Sequence, residues 1–193
     1  MINNVTRYID LNNEKFRIKP KPQEDELLSS WLVRVARAHL TLTTSFTNMH
    51  FKEYKNNIIW QRDLDIWCPD KLIDRISFKS GYSQEIIFNM TLRSLEGIIT
   101  DKITGKSNTP NIRALGNYCH IKKKGGLMFC PECLDEDKIP YFRKIWRLKE
   151  YSICKKHNIE LLSRCSQCLT PLTISKSFKE KDFTFCYKCG NKL

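Results

Sequence analysis

The sequence predicts a mainly α-helical N-terminal region with helix-turn-helix character, followed by a small α+β region of zinc-ribbon type with two zinc sites. Two observations predict it. Apolar residues recur at helical spacing through the first half of the chain. Four ligand pairs, each two residues apart, crowd between Cys130 and Cys189. The chain of 193 residues is 41% hydrophobic, enough for a packed core in one ordinary domain or two small ones. The lysine–glycine junction "KKKGG" divides it into residues 1–121, a helical helix-turn-helix domain, and residues 122–193, a tandem zinc-binding domain.

The helical elements follow in order. "KFRIKP" reads as a short extended piece that Pro20 and Pro22 end. In "EDELLSSWLVRVARAHL", Leu28, Trp31, Leu32, Val35 and Ala36 share one helical face. Glu24, Asp25 and Glu26 suit the positive end of that helix dipole. Arg34 and Arg37 fall off the apolar face and are expected in solvent, and His39 is expected to be a satisfied packing histidine. Thr43, Thr44 or Ser45 is placed to cap a second, short helix. Its polar residues Thr44, Thr47, Asn48 and His50, with Lys52 and Lys55 beyond, are candidates for meeting bases and phosphates. A third helix is expected on Leu72, Ile73 and Ile76, stopped by Gly81. Ser83 caps a fourth helix carrying Ile86, Ile87 and Met90. "RKIWRLKEYSIC" alternates loosely and reads as a strand.

The cysteines carry the chemistry. No apolar run reaches the roughly 20 residues of a membrane span, and the N-terminus lacks a secretory layout. The expectation is a cytoplasmic, nucleoid-associated protein, where paired cysteines bind metal rather than form disulfides. Cys130 and Cys133, Cys154 and His157, Cys165 and Cys168, and Cys186 and Cys189 form four knuckles. Consecutive pairing gives zinc 1 as Cys130, Cys133, Cys154 and His157, and zinc 2 as Cys165, Cys168, Cys186 and Cys189. Cross-braced pairing, as in RING domains, asks for two or three residues between the second and third knuckles, and "NIELLSR" supplies seven. Both sets are closed at four protein ligands, so structural Zn²⁺ is expected and no catalytic residue is assigned. Cys68 and Cys119 read as ordinary thiols. The run Asp135, Glu136 and Asp137 reads as a solvated acidic loop.

The net charge is +12, which favours an anionic partner such as nucleic acid. Lys122, Lys123 and Lys124 add a basic run beside the junction.

Two stretches resemble the TniQ/TnsD family of transposition proteins. "ELLSSWLVRVARAH" matches its opening motif at Glu26, Ser30, Trp31, Leu32, Arg34 and Ala36. "CPECLDEDKIPYFRKIWRLKEYSICKKHNIELLSRCSQC" resembles its zinc signature, with Pro131, Leu134, Tyr141, Arg143, Trp146 and Leu161 matching besides the ligands. "GYSQEIIFNMTL" is family-like but less specific. The resemblance implies a non-catalytic adaptor of Tn7-like or CRISPR-associated transposons. Such proteins select the insertion target and recruit a AAA+ ATPase regulator. Some bind a DNA attachment site, and others dock on a CRISPR effector complex. Longer members continue into further helical DNA-binding domains, whereas this chain ends four residues after Cys189. The expectation is therefore a short connector that touches DNA non-specifically. A sequence-specific DNA-binding regulator using the first helix-turn-helix is the alternative.

Overall fold

The computed structural model describes residues 14–54, 58–104, 109–115, 127–177 and 180–193. The architecture is mainly helical with one small strand pair. The elements are α1 (Leu28–Ala38), α2 (Thr43–His50), α3 (Ile58–Gln61), α4 (Leu64–Trp67), α5 (Asp70–Ser80), α6 (Gln84–Asn89), α7 (Pro131–Glu136), β1 (Ile153–Cys154) and β2 (Ile159–Glu160). Short 3₁₀ turns span Leu92–Leu95, Lys144–Arg147 and Ile174–Lys176. β1 and β2 pair antiparallel, with Ile153 opposite Glu160.

α1 is the centre of the molecule. Every residue from Leu28 to Ala36 is buried, so the helix has no solvated face. Leu28, Trp31, Leu32 and Val35 are fully excluded from water, each worth about 1.5–3 kcal/mol on burial. Packing on all sides forces the polar residues of α1 to find partners inside. The Ser29 hydroxyl donates to Asp65 Oδ2 at 2.7 Å, and its backbone N–H donates to Oδ1 at 2.8 Å. The Ser30 hydroxyl donates to Glu26 Oε1 and accepts the Phe142 N–H at 3.0 Å. Arg34 pairs with Glu26 and also donates to the Lys21 carbonyl.

This corrects the expectation that Arg34 and Arg37 meet solvent. Arg34 is only 6% exposed. Arg37 lays its guanidinium 4.0 Å from the centre of the Phe183 ring, and burial lowers its pKa to about 10. The helical wheel saw one apolar stripe; the second buried face is covered by sequence-distant Phe142 and Phe183. The acids before α1 act differently from a dipole partner as well. Leu27 is the residue at the helix start. Glu26 serves Arg34, Ser30 and the Gln23 N–H, and Asp25 Oδ2 accepts the Ile145 N–H.

α5 stops at Gly81, which takes φ 75°, and the Ser83 hydroxyl caps α6 by accepting the Ile86 N–H. Ile87 and Met90 are buried as expected, but Ile86 is 41% exposed. α2 starts after Leu42 with no side-chain cap, because Thr43 and Thr47 are turned inward. α3 and α4 were not legible, since four residues hold too little of a 3.6-residue period to show one. The strand expected from Arg143 is instead a 3₁₀ turn over Lys144–Arg147, and the strand pairing begins later, at Ile153. The turn lets consecutive Trp146 and Arg147 both be buried, which an alternating strand on one core face cannot do.

Arg147 is fully buried. It forms a two-pronged pair with Asp63, at 2.5 and 3.3 Å, and approaches Asp65 at 3.5 Å. Burial and neighbouring Asp63 raise Asp65 to about 6, against the pull of Arg147 and Ser29. Arg147→Met leaves these carboxylates without their cation. The expected loss is about 3–5 kcal/mol in urea denaturation, whereas a surface lysine changed to Met moves the midpoint little.

Candidate metal centres and basic cleft

The first cluster joins a helix start to a hairpin. Cys130 precedes α7, Pro131 opens it, and the Cys133 N–H turns back to Cys130 Sγ at 3.4 Å. Cys154 ends β1 and His157 sits in the turn to β2. His157 Nδ1 lies 3.3, 3.4 and 3.6 Å from the sulfurs of Cys130, Cys133 and Cys154. Cys133 and Cys154 Sγ are 3.6 Å apart. In the second cluster, Cys165 and Cys189 Sγ are 3.7 Å apart, as are Cys168 and Cys186. A tetrahedral ion with bonds of about 2.3 Å to sulfur and 2.0–2.1 Å to nitrogen has edges of roughly 3.5–3.8 Å. A disulfide needs about 2.05 Å. In each set the four donor atoms lie within 4.8 Å of one another, so both could hold a metal ion. The grouping is consecutive rather than cross-braced.

Three knuckles share a backbone device. Asn158, Leu169 and Gly190 directly follow the second ligand of their pairs, and all have positive φ, at 54°, 55° and 74°. The N–H of the same residue bonds the carbonyl of the first ligand: Asn158 to Cys154, Leu169 to Cys165, Gly190 to Cys186. The left-handed residue closes the loop so that both donors face one point. Glycine suits this position and asparagine tolerates it; Leu169 adopts it at a cost, with its side chain 67% exposed.

The thiols differ in acidity. Burial pushes Cys133 above the ordinary thiol range and Cys186 to about 12. Burial opposes ionisation at Cys154 too, but the His157 N–H and the Cys130 and Cys133 thiols hold it near 7. Bonds from Thr170 hold Cys168 near 6.

Glu136, expected in a solvated acidic loop, instead ends α7 and meets the first cluster. Its Oε2 lies 3.0 Å from His157 Nε2 and also accepts from Lys156. With Nδ1 facing the sulfurs, Nε2 is the nitrogen that donates to Glu136, so the carboxylate fixes ring orientation and tautomer. The whole acidic run is paired rather than idle: Asp135 with Lys192, and Asp137 with Arg143. The one available signal was its position directly behind the "CPEC" helix.

The residues expected to face DNA are scattered. Thr47 is buried, and its hydroxyl accepts the Trp60 indole N–H at 2.9 Å, correcting its reading as an exposed contact. Asn48 and Lys52 are exposed. His50 is partly buried against Phe46 and Phe16, with ring centres 4.5 and 5.1 Å away. His39 is satisfied: Nδ1 bonds the Val35 carbonyl and Nε2 the Ile18 N–H. Lys55, Lys122, Lys123, Lys124 and Cys119 lie outside the described residues. Cys68 is buried, and burial followed by Asp65 raises it to about 12. His50 and Lys52 line a cleft of about 660 Å³ together with Lys15, Arg17, Arg75 and Lys79.

Burial, then Lys79 and His39, hold His50 at about 4, so it is neutral at physiological pH. Its folded pKa lies below the unfolded 6.5, so its contribution to stability falls as pH drops from about 6.5 toward 4. Its NMR titration midpoint is expected near pH 4, and a midpoint near 6.5 contradicts the packing. Glu136→Gln keeps shape but weakens the acceptor. It is expected to speed metal loss from the first cluster to a chelator by about tenfold or more, with the second cluster unaffected.

The TniQ family model matches residues 17–161. The match takes in α1, the helices after it and the first metal cluster, and it stops before Cys165. No curated protein matches the chain at a significant level. A match over most of the chain, containing both the Glu26–Arg34 helix and the Cys₃His cluster, makes this protein a member of the TniQ family of transposition proteins.

Proposed function

We propose that this protein is a non-catalytic adaptor for target-site selection in DNA transposition. The family places the chain in a transposition-associated target-site role. In the finer reading, it binds a AAA+ ATPase regulator and bridges it to target DNA, a CRISPR effector complex, or both. The observation that carries this is the family match joined to two closed donor sets. Four protein ligands leave no coordination position for substrate or activated water, so the ions serve the fold. We assign both ions as Zn²⁺, on donor type and tetrahedral edge lengths. Residues 1–121 then act as the helical partner-binding domain, and residues 122–193 as the zinc-bearing one. Burial of Thr47 and the aromatic packing of His50 weigh against the alternative, a regulator reading bases through α2.

No helix among the described residues is long and apolar enough to cross a membrane. DNA contact is proposed as non-specific and driven by the basic surface, hence strongly salt-sensitive.

Purified protein is expected to contain two zinc ions by elemental analysis, and Cys133→Ser to contain one. Protein without zinc overturns the cofactor assignment. The adaptor role is tested by pull-down of the AAA+ ATPase encoded with the same element and by a targeted-insertion assay. Deletion is expected to abolish targeted insertion while leaving the transposase able to cut donor ends. Unchanged target choice without this protein refutes the role.

A further inference from the structure

The cleft beside α2 gathers charge from three separate parts of the chain. Lys15 and Arg17 come from the segment before α1, Lys52 from just after α2, and Arg75 and Lys79 from α5. Two carboxylates, Glu14 and Glu53, share the cleft. Both are within 4.0 Å of Arg75, at 3.9 and 3.2 Å. Arg75 is the cation nearest both acids, and five cations against two carboxylates leave the lining net positive. Neutral His50 adds nothing to that field.

Lys79 is the unusual member. The residue is only 5% exposed, yet it lines the cleft. Its ammonium donates to the Glu14 carbonyl at 3.0 Å, one of the three N–H bonds it can make. A buried ammonium gains most from an anion that supplies the missing acceptors. The Phe16 N–H bonds the Lys79 carbonyl at 2.8 Å, so the segment carrying Lys15 and Arg17 is tied to the same helix. The backbone that carries Lys15 and Arg17 is thus anchored beside Lys79 in advance. Arg17 and Lys52 are exposed and make no side-chain hydrogen bond or ion pair among the described residues. Thr41 and Met49 supply uncharged wall between them.

We infer that this cleft is a phosphodiester-binding site that seats a nucleic-acid backbone against Arg17, Lys52 and Lys79. The inference rests on the reading that the protein contacts DNA, and it places that contact in the cleft rather than on the bases that α2 would read. Separated cations around an open concavity fit the regularly spaced phosphates of a strand. They confer grip and orientation without sequence preference. RNA offers the same phosphodiester chemistry.

The test uses fluorescence anisotropy of full-length, zinc-loaded protein with a random-sequence DNA duplex and a single-stranded RNA, each about 20 units long, across a salt series. The variant Arg17→Glu/Lys52→Glu changes exposed side chains only. It is expected to weaken binding by at least about tenfold and to flatten the log–log salt dependence by about 2, since each phosphate contact contributes about 0.9. Lys138→Glu/Lys149→Glu makes the same charge change at exposed positions outside the cleft and is expected to alter affinity less than about threefold, through long-range electrostatics alone. A larger loss on duplex assigns the site to DNA, and a larger loss on the single strand assigns it to RNA; both support the inference. Equal losses from the two double variants, or an unchanged salt slope, overturn it. Displacement by polyglutamate as readily as by DNA also overturns it, in favour of an acidic protein segment. Wild-type protein that binds neither nucleic acid defeats the DNA contact in the proposed function itself, whereas wild-type binding that the cleft variant retains defeats only the location.

Discussion

The burial of α1 around its whole circumference is the constraint that organises this molecule. A helix with no solvated face must settle every polar side chain internally. Ser29 settles on Asp65, Ser30 on Glu26 and the Phe142 backbone, and Arg34 on Glu26. These bonds reach in two directions. Asp65 belongs to α4, whereas Phe142 belongs to the segment between the first two metal knuckles. The Leu27 N–H bonds the Phe142 carbonyl and the Lys144 N–H bonds the Asp25 carbonyl, so main-chain bonds reinforce the side-chain ones. Loss of any single partner leaves a desolvated group at the centre, which is costlier than the bond it made.

The two Cys/His clusters flank the segments that cover α1: Phe142 lies between the knuckles of the first and Phe183 between those of the second. The described residues of 127–193 carry one two-stranded ladder and no helix longer than six residues. Such a segment has little regular structure with which to repay chain entropy. An ion held by each cluster would close a loop of some two dozen residues and supply the missing order. The clusters are not equivalent. In the first, all three cysteines are buried, and Glu136 braces the histidine; in the second, Cys189 is exposed and Cys168 partly so. The first cluster also lies within the family match and the second beyond it.

Charge is distributed by the same logic. The arginines nearest the centre, Arg34, Arg143 and Arg147, are consumed by carboxylates. Among the described residues, Arg17 and Lys52 at the rim of the cleft keep their charge turned toward solvent. Net charge read from composition therefore says more about affinity for polyanions than about which arginine touches one.

Much of the metal chemistry was readable from sequence, because a two-residue knuckle is local. The spacing of Cys130 to Cys133 or Cys154 to His157 determines what one loop can ligate, and seven residues between the second and third knuckles favour consecutive closure. The stops and caps at Gly81 and Ser83 were readable for the same reason. Tertiary structure decided what depends on distant segments. Arg34 and Arg37 look solvent-facing until Glu26 and Phe183 cover them, and Thr47 looks exposed until Trp60 takes its hydroxyl. Glu136 gains its role only when His157 is folded onto it, and the cleft exists only where residues 14–17, α2 and α5 converge. Helical periodicity records one face of a helix against one neighbour, whereas burial is the sum over all neighbours, and that sum is not written in any local stretch of chain.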